Sequence, residues 1–329
     1  MTLGIVFGGG GLVGMAYHAA ALQALHDMEI DVTGADVVVG TSAGSVIGSY
    51  MATGWSQTDF YEYAHRRHPN AHKDPADPRE AQQELFVPLW TTPSERVRRS
   101  IGSFFALASS KGLWHRATRG MTPVAELRRR FPAGLYSTAM TKLRLQDELP
   151  AGWPDRKLFV CAADLYTGER VPFGTDDAPK ASLPDAVLAS TAIPGVFPPV
   201  RIDGRQYVDG GAVSATSLDL AADAGCEAII CIAPLGYRNE GALVRDPLAW
   251  GPMITRSFFA RTLRREVRDA RERGIDVFVI RPWLDELRHL GTNAMRQFDR
   301  VKTTEIARAG VRRLLKQEKG HPALAAFRR

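Results

Sequence analysis

Ser42 sits between two glycines in Gly40-Thr41-Ser42-Ala43-Gly44, and that spacing points to nucleophilic chemistry. A serine flanked this way at a strand-to-helix junction occupies a sharp turn that leaves its hydroxyl exposed. The following helix N-terminus would favour negative charge developing nearby, as in attack on an ester carbonyl. The bland reading is a turn of small residues with no chemistry. A second glycine cluster, Gly8-Gly9-Gly10-Gly11 with Gly14 beyond it, invites two readings. Gly9-x-Gly11-x-x-Gly14 could cradle a pyrophosphate at a helix N-terminus. That reading expects an acidic residue at the end of the next strand, whereas Asp36 stands at its start rather than its end. As an oxyanion hole, the glycines would present backbone N–H groups to a substrate oxygen. The oxyanion reading is preferred.

A serine nucleophile needs a base. Of the eight histidines, only His289 and His321 come late enough for a Ser…Asp…His order, and neither follows a strand. Most of the eight are expected at the surface. The other candidate is Asp209, in Tyr207-Val208-Asp209-Gly210-Gly211, where an aspartate ends a strand and enters a tight glycine turn. Without Ser42 it would pass for an ordinary turn residue.

These residues need a sheet to hold them. Leu3–Phe7 predicts a buried strand ending in the first glycine turn, followed by a helix over residues 14–28. Asp36–Val39 predicts a second strand and residues 45–52 a second helix, closed by Gly54. Ser56 and Asp59 form a helix-start signal. Two strand–turn–helix units in succession predict an α/β fold with parallel strands. Further strands are expected at residues 158–163, 169–173, 205–208, 228–232 and 276–280, with helices at 257–273 and 295–316. Residues 64–154, polar and basic, read as an inserted cap on a single domain spanning residues 1–329.

The set Gly8–Gly14, Gly40–Gly44 and Asp209-Gly210-Gly211 resembles the patatin-like phospholipases. The segments Ala189–Pro199 and Ala163–Glu169 strengthen the resemblance, which covers residues 3–232. It implies a three-layer α/β/α fold with a largely parallel central sheet and an inserted helical cap. It also implies a Ser–Asp dyad without histidine: Ser42 as nucleophile, Asp209 as base, and Gly9, Gly10 and Gly11 as oxyanion loop. Gly14, Gly40, Gly44, Gly210 and Gly211 are the motif glycines. One departure is Val13, where the family usually carries Arg or Lys; it weakens the case for strict phospholipid preference and leaves simpler esters or lysophospholipids open. Asp164 matches a recurring position and reads as structural.

The 329 residues carry a formal charge of +6, with 45% hydrophobic and 24% charged residues, which excludes a disordered chain. The charge-free stretches at residues 1–26 and 37–58 are rich in Gly, Ser and Thr and do not read as membrane spans. No secretory leader is evident. Cys161, Cys226 and Cys231 cannot make a disulfide framework or a zinc site and read as buried apolar residues. The expected setting is cytoplasmic, with peripheral membrane contact open. Residues 256–329 hold an excess of +10, and the rest of the chain a balance of −4. Such asymmetry can mark an anionic partner, though a solvated arginine-rich helical surface is the plainer reading; no nucleic-acid partner is expected. Within the cap, Val97, Ile101, Phe104 and Phe105 recur at helical spacing beside Arg96, Arg98 and Arg99. The stripe suits either a membrane-surface helix or a core-covering one. The expected function is hydrolysis of lipid carboxylic esters, phospholipase A or lysophospholipase in type, with no metal and no cofactor. The alternatives are a non-catalytic lipid-binding protein and a nucleotide-binding enzyme using the glycine loop.

Overall fold

The structure is a computed structural model and describes residues 1–75, 77–110, 131–238, 250–291, 295 and 298–328. The chain runs β1 (Leu3–Phe7), α1 (Gly11–His26), β2 (Val37–Thr41), α2 (Ala43–Ala52), α3 (Gln57–Ala64), α4 (Pro78–Leu85), α5 (Pro93–Ser110) and α6 (Ala139–Glu148). It continues β3 (Lys157–Asp164), β4 (Arg170–Phe173), α7 (Leu183–Thr191), β5 (Val200–Ile202), β6 (Arg205–Asp209), α8 (Asp219–Asp223) and β7 (Ala228–Ile232). The last elements are α9 (Trp250–Glu272), β8 (Asp276–Ile280), α10 (Leu287–Leu290), α11 (Arg300–Gln317) and α12 (Pro322–Ala326). Two compact units emerge: Met1–Pro78 with Pro154–Phe159 and Ser214–Arg329, and Arg79–Trp153 with Val160–Val213.

The fold is mixed α/β. In the first unit, strands run in the order β2-β1-β7-β8, all parallel. Every residue of β2 and β7 is buried, which is why these strands read as continuous apolar runs rather than alternating ones. Helix α1 is buried around most of its circumference and packs against α3 and α11. Its alanines permit that close packing. The Ser56–Asp59 capping box forms as expected at the start of α3, and Gly54 takes a φ of +119° after α2. Two expectations shift at their edges. Helix α1 begins at Gly11 rather than residue 14, and α11 begins at Arg300 because the Asp299 side chain accepts the N–H of Lys302.

The second unit is antiparallel: β3 pairs with β4 and β6, and β6 with β5. Its described helices are α5, α6, α7 and most of α4; α7 was not anticipated, although Ser182 caps it through Asp185 N–H and Pro184 sits in its first turn. Residues 111–130, part of the expected cap, lie outside the described residues, as do 292–294 and 296–297 near the expected helix start at 295.

Candidate active site

Strands β1 and β2 are parallel neighbours in register, with Phe7 opposite Gly40. The segments that follow them therefore leave the sheet side by side. Ser42 joins β2 to α2 with φ 54° and ψ −123°, a conformation a non-glycine residue adopts only when its surroundings force it. The forcing comes from the flanking glycines. A Cβ at Gly44 would lie 1.9 Å from the Phe7 carbonyl oxygen, and one at Gly40 would lie 2.6 Å from Ser45 Cα. Only bare backbone lets α2 cross the end of β1 so closely. The Ser42 carbonyl is held by both the backbone N–H (2.9 Å) and the hydroxyl (2.6 Å) of Ser45.

That crossing brings the first glycine turn to the serine: a Cβ at Gly9 would stand 3.4 Å from Ser42 Cβ. The turn is pinned from behind. Gly8 N–H donates to Ile232 O at 2.8 Å, and Gly9 N–H donates to Ala215 O at 2.7 Å. This bears on one expected role: the Gly9 amide, expected among the oxyanion donors, is engaged with Ala215 O. Gly9 contributes close approach instead. Gly10 and Gly11 open α1, where first-turn N–H groups have no acceptor inside the helix. Neither α1 nor α2 has an acidic residue in its first turn, so nothing there offsets the positive ends of the two helix dipoles. Gly14 is in ordinary contact with Pro234 and is not sterically required.

His18 departs from the surface role expected of most histidines. It is fully buried on α1, its Nε2 donates to the Gly8 carbonyl at 2.7 Å, and its ring meets Phe7 edge-on. Burial lowers its pKa to about 4, outweighing the bond to Gly8, so it is a neutral donor that braces the glycine turn. The apolar run around it on α1 was a usable signal. Another support gave no local signal at all. Glu266 on α9 is buried and accepts the hydroxyls of Ser214 (2.5 Å) and Thr216 (2.6 Å) and the N–H of Leu218 (3.1 Å). These bonds shape the loop whose Ala215 carbonyl holds Gly9. Burial raises the Glu266 pKa, while the two hydroxyls pull it back down.

Asp209, Gly210 and Gly211 belong to the second unit. Asp209 ends β6, is 6% exposed, and its Oδ1 accepts the Gly211 N–H at 2.7 Å. Its own N–H donates to Ala192 O at 2.9 Å. A Cβ at Gly210 would fall 2.4 Å from Cys161 O, so the turn after Asp209 needs glycine there. Asp164 is structural as read: its Oδ1 accepts the N–H groups of Tyr166 and Thr167. His321 caps α12, its Nδ1 accepting the Ala323 N–H, and His289 is exposed. All three cysteines are buried. Asp36 exchanges bonds with Leu3 at the start of β1, away from the glycine turn, which disfavours the dinucleotide reading. Among the described residues no group of three His, Cys, Asp or Glu side chains could hold a metal, and no helix is long and apolar enough to cross a membrane.

Helix α5, in the second unit, is inverted. Its small residues Gly102, Ser103 and Ala106 are buried, whereas Val97 (60% exposed), Ile101 and Phe104 (67%) face outward. The cause is local: a Cβ at Gly102 would lie 2.4 Å from Pro132 O, and Ser103 Oγ accepts the Gly134 N–H at 3.0 Å. Arg96 stacks over Trp90 beside the stripe, at the edge of a cavity of about 850 Å³.

A family model described as patatin-like phospholipase matches residues 5–222. An uncharacterised NTE family protein of Mycobacterium bovis is 35% identical over 103 residues, covering 31% of this chain and 26% of that protein. Another, from Mycobacterium tuberculosis, is 27% identical over 233 residues, covering 70% of this chain and 30% of that protein. The chain thus spans less than a third of the curated relatives it matches. Among solved structures, VipD from Legionella pneumophila aligns at 16% identity and a TM-score of 0.44, covering 96% of this chain and 66% of that one. The type III effector protein ExoU aligns at 16% identity and a TM-score of 0.37, covering 97% and 53%. With the family model matching well over half of its length, including both glycine turns, Ser42 and Asp209, the chain belongs to the patatin-like phospholipase family.

Proposed function

We propose that this chain is a serine acyl hydrolase of lipid carboxylic esters, phospholipase A or lysophospholipase in type. The observation that carries the reading is Ser42 in its forced turn, with Gly9 against it and two helix N-termini opening beside it. Ser42 Oγ attacks the ester carbonyl while Asp209 accepts its proton. The N–H groups of Gly10 and Gly11 receive the oxyanion. The tetrahedral adduct collapses, the alcohol leaves with the proton from Asp209, and an acyl-enzyme remains. Water, losing a proton to Asp209, then releases the fatty acid and restores Ser42. The reaction so written needs neither metal nor organic cofactor. Val13, buried at 5% exposure in α1, offers no charge to a lipid phosphate, which favours simple esters and lysophospholipids over strict phospholipid choice. The outward stripe of α5 would rest in a lipid surface with its arginines at the headgroups.

Fluorophosphonate labelling followed by a lipid-ester panel tests the reading. The parent chain should label and hydrolyse, and Ser42→Ala should do neither while unfolding at the parent's temperature. Labelling that survives in folded Ser42→Ala would refute the nucleophile.

A further inference from the structure

The C-terminal arginine excess is only partly matched by acids. Arg308 pairs with Asp27, Arg300 with Asp74, Arg273 with Asp223 and Arg313 with Asp285. Arg256 donates to the carbonyls of Pro234 and Gly236. A different group converges on one cavity of about 580 Å³ between α9, β8 and the start of α12. Five arginines line it: Arg238, Arg264, Arg268, Arg271 and Arg281. Its two acids are already engaged, Glu318 with Arg238 at 3.4 Å and Glu272 with Arg268 at 3.6 Å. Among the described residues, no carboxylate lies within 4 Å of Arg264, Arg271 or Arg281.

We propose that this cavity binds a phosphate-bearing anion, a phosphomonoester or pyrophosphate group, through Arg264, Arg271 and Arg281. Two of the guanidiniums are tethered, because Arg264 Nε donates to Ala260 O at 3.1 Å and an Arg271 terminal nitrogen donates to Val277 O at 2.9 Å. Each keeps further N–H groups for a ligand, and Arg281 lines the same cavity. Planar guanidinium forks match phosphate oxygens in pairs, and three of them call for more than the single charge of a carboxylate. Leu263, Val267, Phe278 and Val279 also line the cavity, Arg281 is half-buried, and Arg264 and Arg271 reach it from the exposed face of α9. Burial lowers the Arg281 pKa first, and the repulsion of Arg238, Arg264 and Arg271 adds to it, the strain a bound anion would relieve. The site does not depend on the hydrolase reading.

Calorimetric titration with inorganic pyrophosphate tests it, using the parent, Arg264→Gln, Arg281→Gln and, as a charge-matched control, Arg265→Gln, whose side chain is exposed on α9 and does not line the cavity. Binding should weaken by about tenfold or more in the first two variants and by less than about twofold in the control. Equal weakening in all three, or no binding to the parent, would overturn the proposal. Should a variant fail to fold, the parent's unfolding temperature in pyrophosphate against chloride at matched ionic strength decides, and the absence of a rise refutes the site. Flotation with phosphatidylcholine vesicles, with and without phosphatidic acid, identifies the source. Arg281-dependent selectivity for phosphatidic acid marks a lipid headgroup, and pyrophosphate binding without it marks a soluble phosphate.

Discussion

Replacing Glu266 with Ala should loosen the glycine turn that lies beside Ser42, although Glu266 bonds to neither. Its carboxylate is the acceptor for two buried hydroxyls and one backbone N–H. Hydrogen bonds to a charged acceptor contribute about 1.5–3 kcal/mol each, so three sum to roughly 4–9 kcal/mol. The burial that raises the Glu266 pKa opposes this, because keeping a charge out of water is costly. Taking about half the gross sum gives a loss of about 3 kcal/mol for Glu266→Ala. Glu266→Gln, which keeps one acceptor oxygen, should lose about 1–2 kcal/mol. A domain with about 5–15 kcal/mol of stability survives either change. Urea unfolding would read the loss as a lower midpoint at constant slope. The second readout is the rate of fluorophosphonate labelling in the folded fraction. With the loop of Ser214–Leu218 relaxed, Ala215 O no longer holds Gly9 in place, and the rate should fall by about tenfold in Glu266→Ala and less in Glu266→Gln. A loss under about 1 kcal/mol would refute the energetic reasoning. Normal stability loss with a parental labelling rate would show that the loop does not position the glycines.

Asp209→Asn should cut turnover by about 100- to 10,000-fold, with His289→Ala and His321→Ala active in a soluble-ester assay. The reverse pattern would reinstate a histidine base. Replacing Val97 and Phe104 with Ser should lower hydrolysis of vesicle lipid far more than that of a soluble short-chain ester; an equal fall in both would mean the stripe serves folding. Burial raises the Glu286 pKa to about 7, the Trp283 N–H opposing and Asp285 adding to the rise. From the unfolded value of 4.5 to about 7 the folded chain keeps a proton the unfolded chain has lost, so this group's contribution falls as pH rises through that window. Relative to the parent, Glu286→Gln should therefore gain about 3 kcal/mol between pH 4 and pH 8, and a flat difference in urea titrations would contradict the shift.

The parallel strands were legible because buried strands read as short apolar runs cut by glycine, and residues 3–7, 228–232 and 276–280 coincide with the expected bounds. The Ser42 turn was legible because its glycines are demanded by backbone contacts, and a requirement of that kind leaves its mark in the residues themselves. Glu266 was not. It is one of three acids on an arginine-rich helix, and its partners lie 48–52 residues earlier in the chain. Only tertiary folding brings them together. The α5 stripe was legible as a pattern but not as a direction. Which face turned inward was decided by the close approach of Gly102 to Pro132, a contact no periodicity contains. The engagement of the Gly9 amide was not legible for a similar reason, since its acceptor, Ala215, lies far along the chain.

The near-contact of Gly44 with the end of β1 has a mechanical meaning. A helix that touches a neighbouring strand through bare backbone cannot rotate without dragging that strand's continuation along. Ser42 heads this helix, and the first glycine turn is that continuation. The hydroxyl and the amides of Gly10 and Gly11 therefore move as one rigid jaw. Any residue larger than glycine at position 44 would pry the two halves apart together.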